Sequence, residues 1–148
     1  MKYLITLLLA ILTLQLHSQE IIADKWCDQL INQDVQRFCL ENFKQPPFKQ
    51  PIIYVQASPL NPKFLAVANI LQPGEYIINV NVIYLDVGFD MSRVMIHELV
   101  HIIQFHEQRL RIEGEFFIYN GQYDSLDWPY NERPWEIEAD HRAALFCD

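Results

Sequence analysis

The chain has 148 residues, 51% of them hydrophobic and 20% charged, with a formal net charge of −8. That mix excludes wholesale disorder, and 4 glycines in such a length exclude a collagen-like chain. The acidic balance supplies no basic footprint for nucleic acid or anionic lipid, so neither is expected as a partner.

Met1-Lys2 makes a positive start, residues 3–16 form an uncharged apolar run, and His17, Ser18 and Gln19 restore polarity. This is the pattern of a secretory signal peptide over residues 1–18. The run falls short of the roughly 20 residues that a bilayer span needs. A secreted or periplasmic location is therefore expected, with no membrane attachment after cleavage. Residues 19–148 carry no internal repeat and no linker, and they read as one domain.

Export favours oxidised thiols, yet Cys27, Cys39 and Cys147 are an odd set. Residues Asp24 to Phe43 read as a helix, with Trp26, Cys27, Leu30, Ile31, Val35, Phe38 and Cys39 along one broad side. In an unbroken helix Cys27 and Cys39 would lie about 18 Å apart, beyond the reach of a bridge. A turn near Asn32–Asp34 would let them pair. Otherwise Cys147 ties the C-terminus to one of them, or all three stay buried thiols.

A proline-rich connector follows, Gln45 to Pro51, which cannot be helical throughout. Ile52–Gln56, Phe64–Leu71 and Tyr76–Val82 read as strands, the last two joined in a hairpin at Gln72-Pro73-Gly74-Glu75. In the third, Asn79 and Asn81 are expected on one polar side. A second helix is expected from Met91 to Arg109, with Asp90 as its N-cap. Its middle, Val94 to Phe105, is apolar nearly all round, which marks the buried centre of a domain. Glu115–Tyr119 reads as a strand turning at Asn120-Gly121 into a short return near Gln122-Tyr123. A last helix runs from Trp135 to Phe146 behind Pro134. The class is α+β: an N-terminal helix, a small mixed sheet, a central helix and a C-terminal helix.

The central helix carries His97-Glu98-Leu99-Val100-His101. Residues four apart project from one helical face, so two imidazoles can converge on one Zn²⁺. Glu98 borders that face and can accept a proton from a metal-bound water without being a ligand. Two histidines and a carboxylate within so apolar a helix are costly unless satisfied. A catalytic zinc takes three protein ligands and keeps one position open. The C-terminal helix offers Glu136, Glu138 and Asp140. Glu136 and Asp140 share a face, whereas Glu138 points about 200° away from Glu136. Either Glu136 ligates with Asp140 behind it, or Glu138 acts alone.

The pairing of His97-Glu98-x-x-His101 with Glu136-x-x-Ala139-Asp140 on a later helix resembles the gluzincin class of zinc metallopeptidases, and the small size resembles the minigluzincins. The resemblance implies a zincin-like fold in which Glu136 is the third metal ligand. It also implies that Asp140 hydrogen-bonds a ligating histidine from behind and that Glu98 is the general base. Asp140 as a direct ligand stays open. The longer metzincin pattern fits worse, because Gln104 and Glu107 stand where it requires Gly and His. His106 faces away from the motif and reads as a core-edge histidine.

The function expected is hydrolysis of peptide or amide bonds in a peptide or protein substrate. Tyr119, Tyr123, Tyr130, Arg133 and His141 are candidates to stabilise the oxyanion. The strand Tyr76–Val82 is the candidate to align an extended substrate. Two other readings compete: a zinc-containing secreted binding module or inhibitor without proteolytic activity, and a metal-free structural or adhesion domain.

Overall fold

A computed structural model describes residues 20–43, 50–85, 90–125 and 128–147. The expected signal peptide and residues 44–49 of the proline-rich connector lie outside the described residues.

Strands rich in Ile and Val build the main sheet. Its strands are β1 (Glu20–Ala23), β2 (Ile52–Ser58), β3 (Ala66–Gln72) and β4 (Glu75–Asn81). They lie in the order β1-β2-β4-β3, with β1–β2 and β2–β4 parallel and β3–β4 antiparallel. The β3–β4 hairpin turns through Gly74, whose φ of 85° suits a residue without Cβ. Ile53 and Val55 of β2 and Tyr76, Ile78 and Val80 of β4 are buried on one face. That face packs on the second helix, α2 (Ser92–His106), through Met95, Ile96, Leu99, Val100, Ile102 and Ile103. Asn81 departs from the expected polar side: it is fully buried. Its Nδ2 donates to the carbonyls of Leu60, Asn61 and Phe64, so it staples the β2–β3 loop instead of facing water.

The N-terminal segment also differs from the expected continuous helix. β1 comes first, and only α1 (Gln33–Asn42) is an α-helix, after a short 3₁₀ turn at Asp28–Leu30. Two side chains interrupt the helical ladder. Asp24 accepts from the backbone N–H groups of Trp26, Cys27 and Ala57, and Asn32 caps α1 by accepting from Asp34 and Val35. Short polar side chains of this kind compete with helical hydrogen bonds. Cys27 and Cys39 are buried and Cys147 is exposed, so three buried thiols are not what the fold contains. Burial and the neighbouring Asp24 carboxylate push the Cys27 thiol up to about 12.

Asp90 accepts from the Ser92 N–H at the start of α2. The helix stops at His106, short of the expected Arg109, because Gln108 adopts a φ of 57° and turns the chain into a strand. That strand, β5 (Leu110–Glu113), was not expected. It pairs with β6 (Phe116–Tyr119), which pairs with β7 (Gln122–Ser125), in a second, antiparallel sheet. The β6–β7 turn places Asn120 and Gly121 at φ 49° and 81°, the conformation of a type I′ turn. α3 (Pro134–Cys147) then lays Trp135, Ala139 and Ala143 against the core. No helix among the described residues is long and apolar enough to cross a membrane.

Candidate metal centre

One stretch of α2 presents His97, Glu98 and His101, each 8% exposed or less, and α3 brings Glu136 over them, also 8% exposed. The four-residue spacing sets the two imidazoles on one face of α2. His97 Nε2 and His101 Nε2 are 3.0 Å apart, and each lies 3.2 Å from Glu136 Oε2. The three residues form a group able to hold a metal ion. The circle through those three atoms has a radius of about 1.8 Å. Bonds from a divalent transition ion to such atoms are about 2.0–2.2 Å, so one point lies within bonding reach of all three.

The outer nitrogens decide what the inner ones present. His97 Nδ1 is 2.9 Å from Asp140 Oδ1, and His101 Nδ1 is 2.9 Å from Gln104 Oε1. A carboxylate and an amide oxygen only accept, so both Nδ1 atoms carry hydrogen and donate. In the neutral rings both Nε2 atoms therefore point bare lone pairs at each other and at a carboxylate oxygen. Such a triangle is stable only around positive charge. Partners that fix tautomer and ring orientation in this way are typical of metal-ligating histidines.

Glu136 is held on its other side by the Trp135 indole N–H, which donates to Oε1 at 3.0 Å, and Trp135 is stacked on Phe117. Burial alone would raise the Glu136 carboxyl, but where the rings are protonated instead of neutral, hydrogen bonds from His101 and His97, with one from Tyr130, outweigh it and hold the group far below the usual carboxylate range. Burial pushes the Glu98 carboxyl up, although His101 and His97 partly offset it. Glu98 Oε2 accepts from the Ala68 backbone N–H at 2.7 Å.

That last contact locates the strand edge. β3 is the outer strand of its sheet, and Leu65 O accepts from Asn81 N, so residue 65 faces β4. Alternation then turns the backbone groups of Ala66, Ala68 and Ile70 away from β4, towards the cleft. This corrects the expectation for Tyr76–Val82. β4 is bonded to β2 on one side and β3 on the other, so it has no edge to offer a substrate. A cleft of about 420 Å³ runs along β3 past the triad, walled by Phe105, Leu110, Ile112, Phe117 and Trp135.

The other expected site residues separate by position. Asp140 stands behind His97, at its outer nitrogen. Glu138 points out of the triangle into a polar cluster: Arg109 grips both its oxygens at 2.7 and 3.0 Å, and Tyr119, Gln104 and Arg142 also donate to it. Burial alone would raise Glu138, but Arg109, Tyr119 and Gln104 bring it down to about 2. Among the oxyanion candidates, the Tyr130 hydroxyl reaches the triad, 3.2 Å from His97 Nε2. Burial and the nearby carboxylates of Glu136, Asp140 and Glu98 push its phenol well up, so it keeps its proton. Tyr119 is engaged with Glu138, Arg133 lines the cleft while its Nε donates to the Trp128 carbonyl, and His141 is exposed. The Tyr123 side chain lies outside the described residues. His106 sits at the core edge, hydrogen-bonded to the Tyr76 hydroxyl at 3.1 Å.

Gln104 was missed as a functional residue. A fully buried amide three residues past His101, in an otherwise apolar stretch, was the available signal. No protein-family model, no curated protein and no solved structure matches the chain.

Proposed function

We propose that this protein is an exported zinc-dependent peptidase of the gluzincin kind, with a zincin-like fold and with His97, His101 and Glu136 as the metal ligands. The observation that carries the reading is the triangle of bare Nε2 lone pairs and Glu136 Oε2, at 3.0–3.2 Å, with both outer nitrogens already committed. Two imidazoles and one carboxylate are a donor set of catalytic zinc, one that keeps a fourth position open. The chemistry supplied by zinc there is acidification of a water and polarisation of a carbonyl.

The chain's own residues supply the rest. Glu98, buried beside the triad and outside its ligand set, takes the proton of the attacking water and delivers it to the leaving amine. The Ala68 N–H anchors its Oε2 and so fixes the carboxylate beside the triad. Tyr130, protonated and within reach of the triad, donates to the oxyanion that develops on the substrate. The outward backbone groups of Ala66 and Ile70 pair with an extended polypeptide, and the apolar wall of the cleft takes one of its side chains.

The test is zinc content alongside hydrolysis of an unbiased peptide library by the chain from residue 19 onwards. One zinc per chain is expected, and Glu98→Gln should keep it while hydrolysis falls about a thousandfold. A Glu98→Gln variant as active as the parent sinks the peptidase reading. A protein that holds zinc without hydrolysing any peptide is instead a binding module or inhibitor.

A further inference from the structure

The metal centre is supported from a distance by a second polar cluster that it does not contain. Gln104 is the link. Its amide has two faces, and only one of them suits His101. With Oε1 towards His101 Nδ1, the ring carries its hydrogen on Nδ1 and leaves Nε2 bare for a metal. With the amide reversed, NH₂ would meet Nδ1. The ring would then have to accept there and carry its hydrogen on Nε2, inside the triangle.

Two acceptors behind Gln104 choose between these faces. Its Nε2 donates to the Trp135 carbonyl at 3.0 Å and to Glu138 Oε2 at 3.1 Å. Glu138 in turn is gripped through both oxygens by Arg109, and Tyr119 of β6 donates to Oε2. A carboxylate facing a guanidinium in this bidentate way is ionised and can only accept. It therefore demands the NH₂ face of Gln104.

We infer that Glu138 is a positioning residue for the metal centre: held by Arg109 and Tyr119, it locks the Gln104 amide and so keeps His101 in the tautomer that leaves Nε2 open to the metal. The second sheet, through Tyr119, is thereby part of the metal site's support. This rests on the zinc reading above for its metal arm and needs no peptidase activity.

Glu138→Gln is the sharp variant. The new amide turns its oxygen to Arg109 and its NH₂ towards Gln104, where two donors meet and only the Trp135 carbonyl still opposes reversal. Two readouts follow, zinc affinity by chelator competition and the ¹⁵N spectrum of His101 in metal-free protein at alkaline pH, where the rings are neutral. The parent should show hydrogen on Nδ1. Glu138→Gln should show a mixture of tautomers and bind zinc about tenfold more weakly. A folded Glu138→Gln with parental zinc affinity and a parental His101 spectrum overturns the inference and leaves Glu138 a purely structural ion-pair partner. If that variant does not fold, the parent and Gln104→Leu decide together: hydrogen on His101 Nε2 in the metal-free parent overturns the inference, and hydrogen on Nδ1, lost in Gln104→Leu, upholds it. A parent that takes up no zinc sinks the zinc reading, while the spectrum still decides this one.

Discussion

Glu136 and Glu138 leave the same helix two residues apart, and their surroundings differ in kind. Glu138 meets only donors: Arg109 on both oxygens, then Tyr119, Gln104 and Arg142. Its charge is balanced within the protein, and the cluster is complete as it stands. Glu136 Oε2 instead faces two imidazole nitrogens whose hydrogens have been drawn to the far side of each ring. That arrangement is able to hold a positive ion at its centre. A buried carboxylate is thus no signature of function by itself. What distinguishes a binding carboxylate from a structural one is whether its neighbours bring protons or lone pairs.

The widest separation between the two should come from truncating each. Glu136→Ala is expected to abolish stoichiometric zinc, measured by elemental analysis after dialysis, while the fold persists. Glu138→Ala should keep the metal, with affinity lowered about tenfold, and lose about 2 kcal/mol of stability by leaving Arg109 and Tyr119 unsatisfied. Equal loss of metal from both would erase the contrast.

Next in size is Tyr130→Phe, which removes the phenol at the triad while every ligand side chain is kept. Its kcat should drop about a hundredfold with zinc retained, as for the loss of an oxyanion donor. An unchanged kcat would leave Tyr130 as cleft packing.

Acid offers a separate handle on Glu138. Its folded value of about 2 lies below the ordinary 4.5. A carboxylate depressed on folding contributes stability that is fully present above about pH 4.5 and is lost as the pH falls towards about 2. Denaturant unfolding across that window should show the parent losing about 2–3 kcal/mol more than Glu138→Gln. Parallel curves would mean that the cluster stabilises nothing.

The smallest effect belongs to Asp140→Ala. Asp140 is 60% exposed at its side chain and acts only on the outer nitrogen of His97, so zinc affinity should weaken about tenfold. A loss as complete as that of Glu136→Ala would make Asp140 a ligand in its own right.

Much of the candidate site is legible in the chain because it is local. His97 and His101 share a face by helical spacing, and Glu136 and Asp140 do so on their own helix, so each pair is set before any packing occurs. The three β2–β4 strands and the α2 and α3 helices are legible for the same reason, since period and turn chemistry act over a few residues. The misreadings lie where a short side chain or a single φ decides. Asp24 and Asn32 divide the first helix by bonding backbone N–H groups, and Gln108 ends α2 three residues early.

The chain alone dictates which side chains leave each helix together, because spacing along one rod needs no knowledge of its neighbours. Packing settles which of three acidic residues on α3 meets the inner imidazole nitrogens, which strand carries the open edge, and that Tyr130, Gln104 and the Arg109–Glu138–Tyr119 cluster gather around the same centre. Those relations join residues about 20 to 40 positions apart across separate elements, and the depth and rotation at which α3 and the second sheet pack on α2 are set by the fit of the whole core.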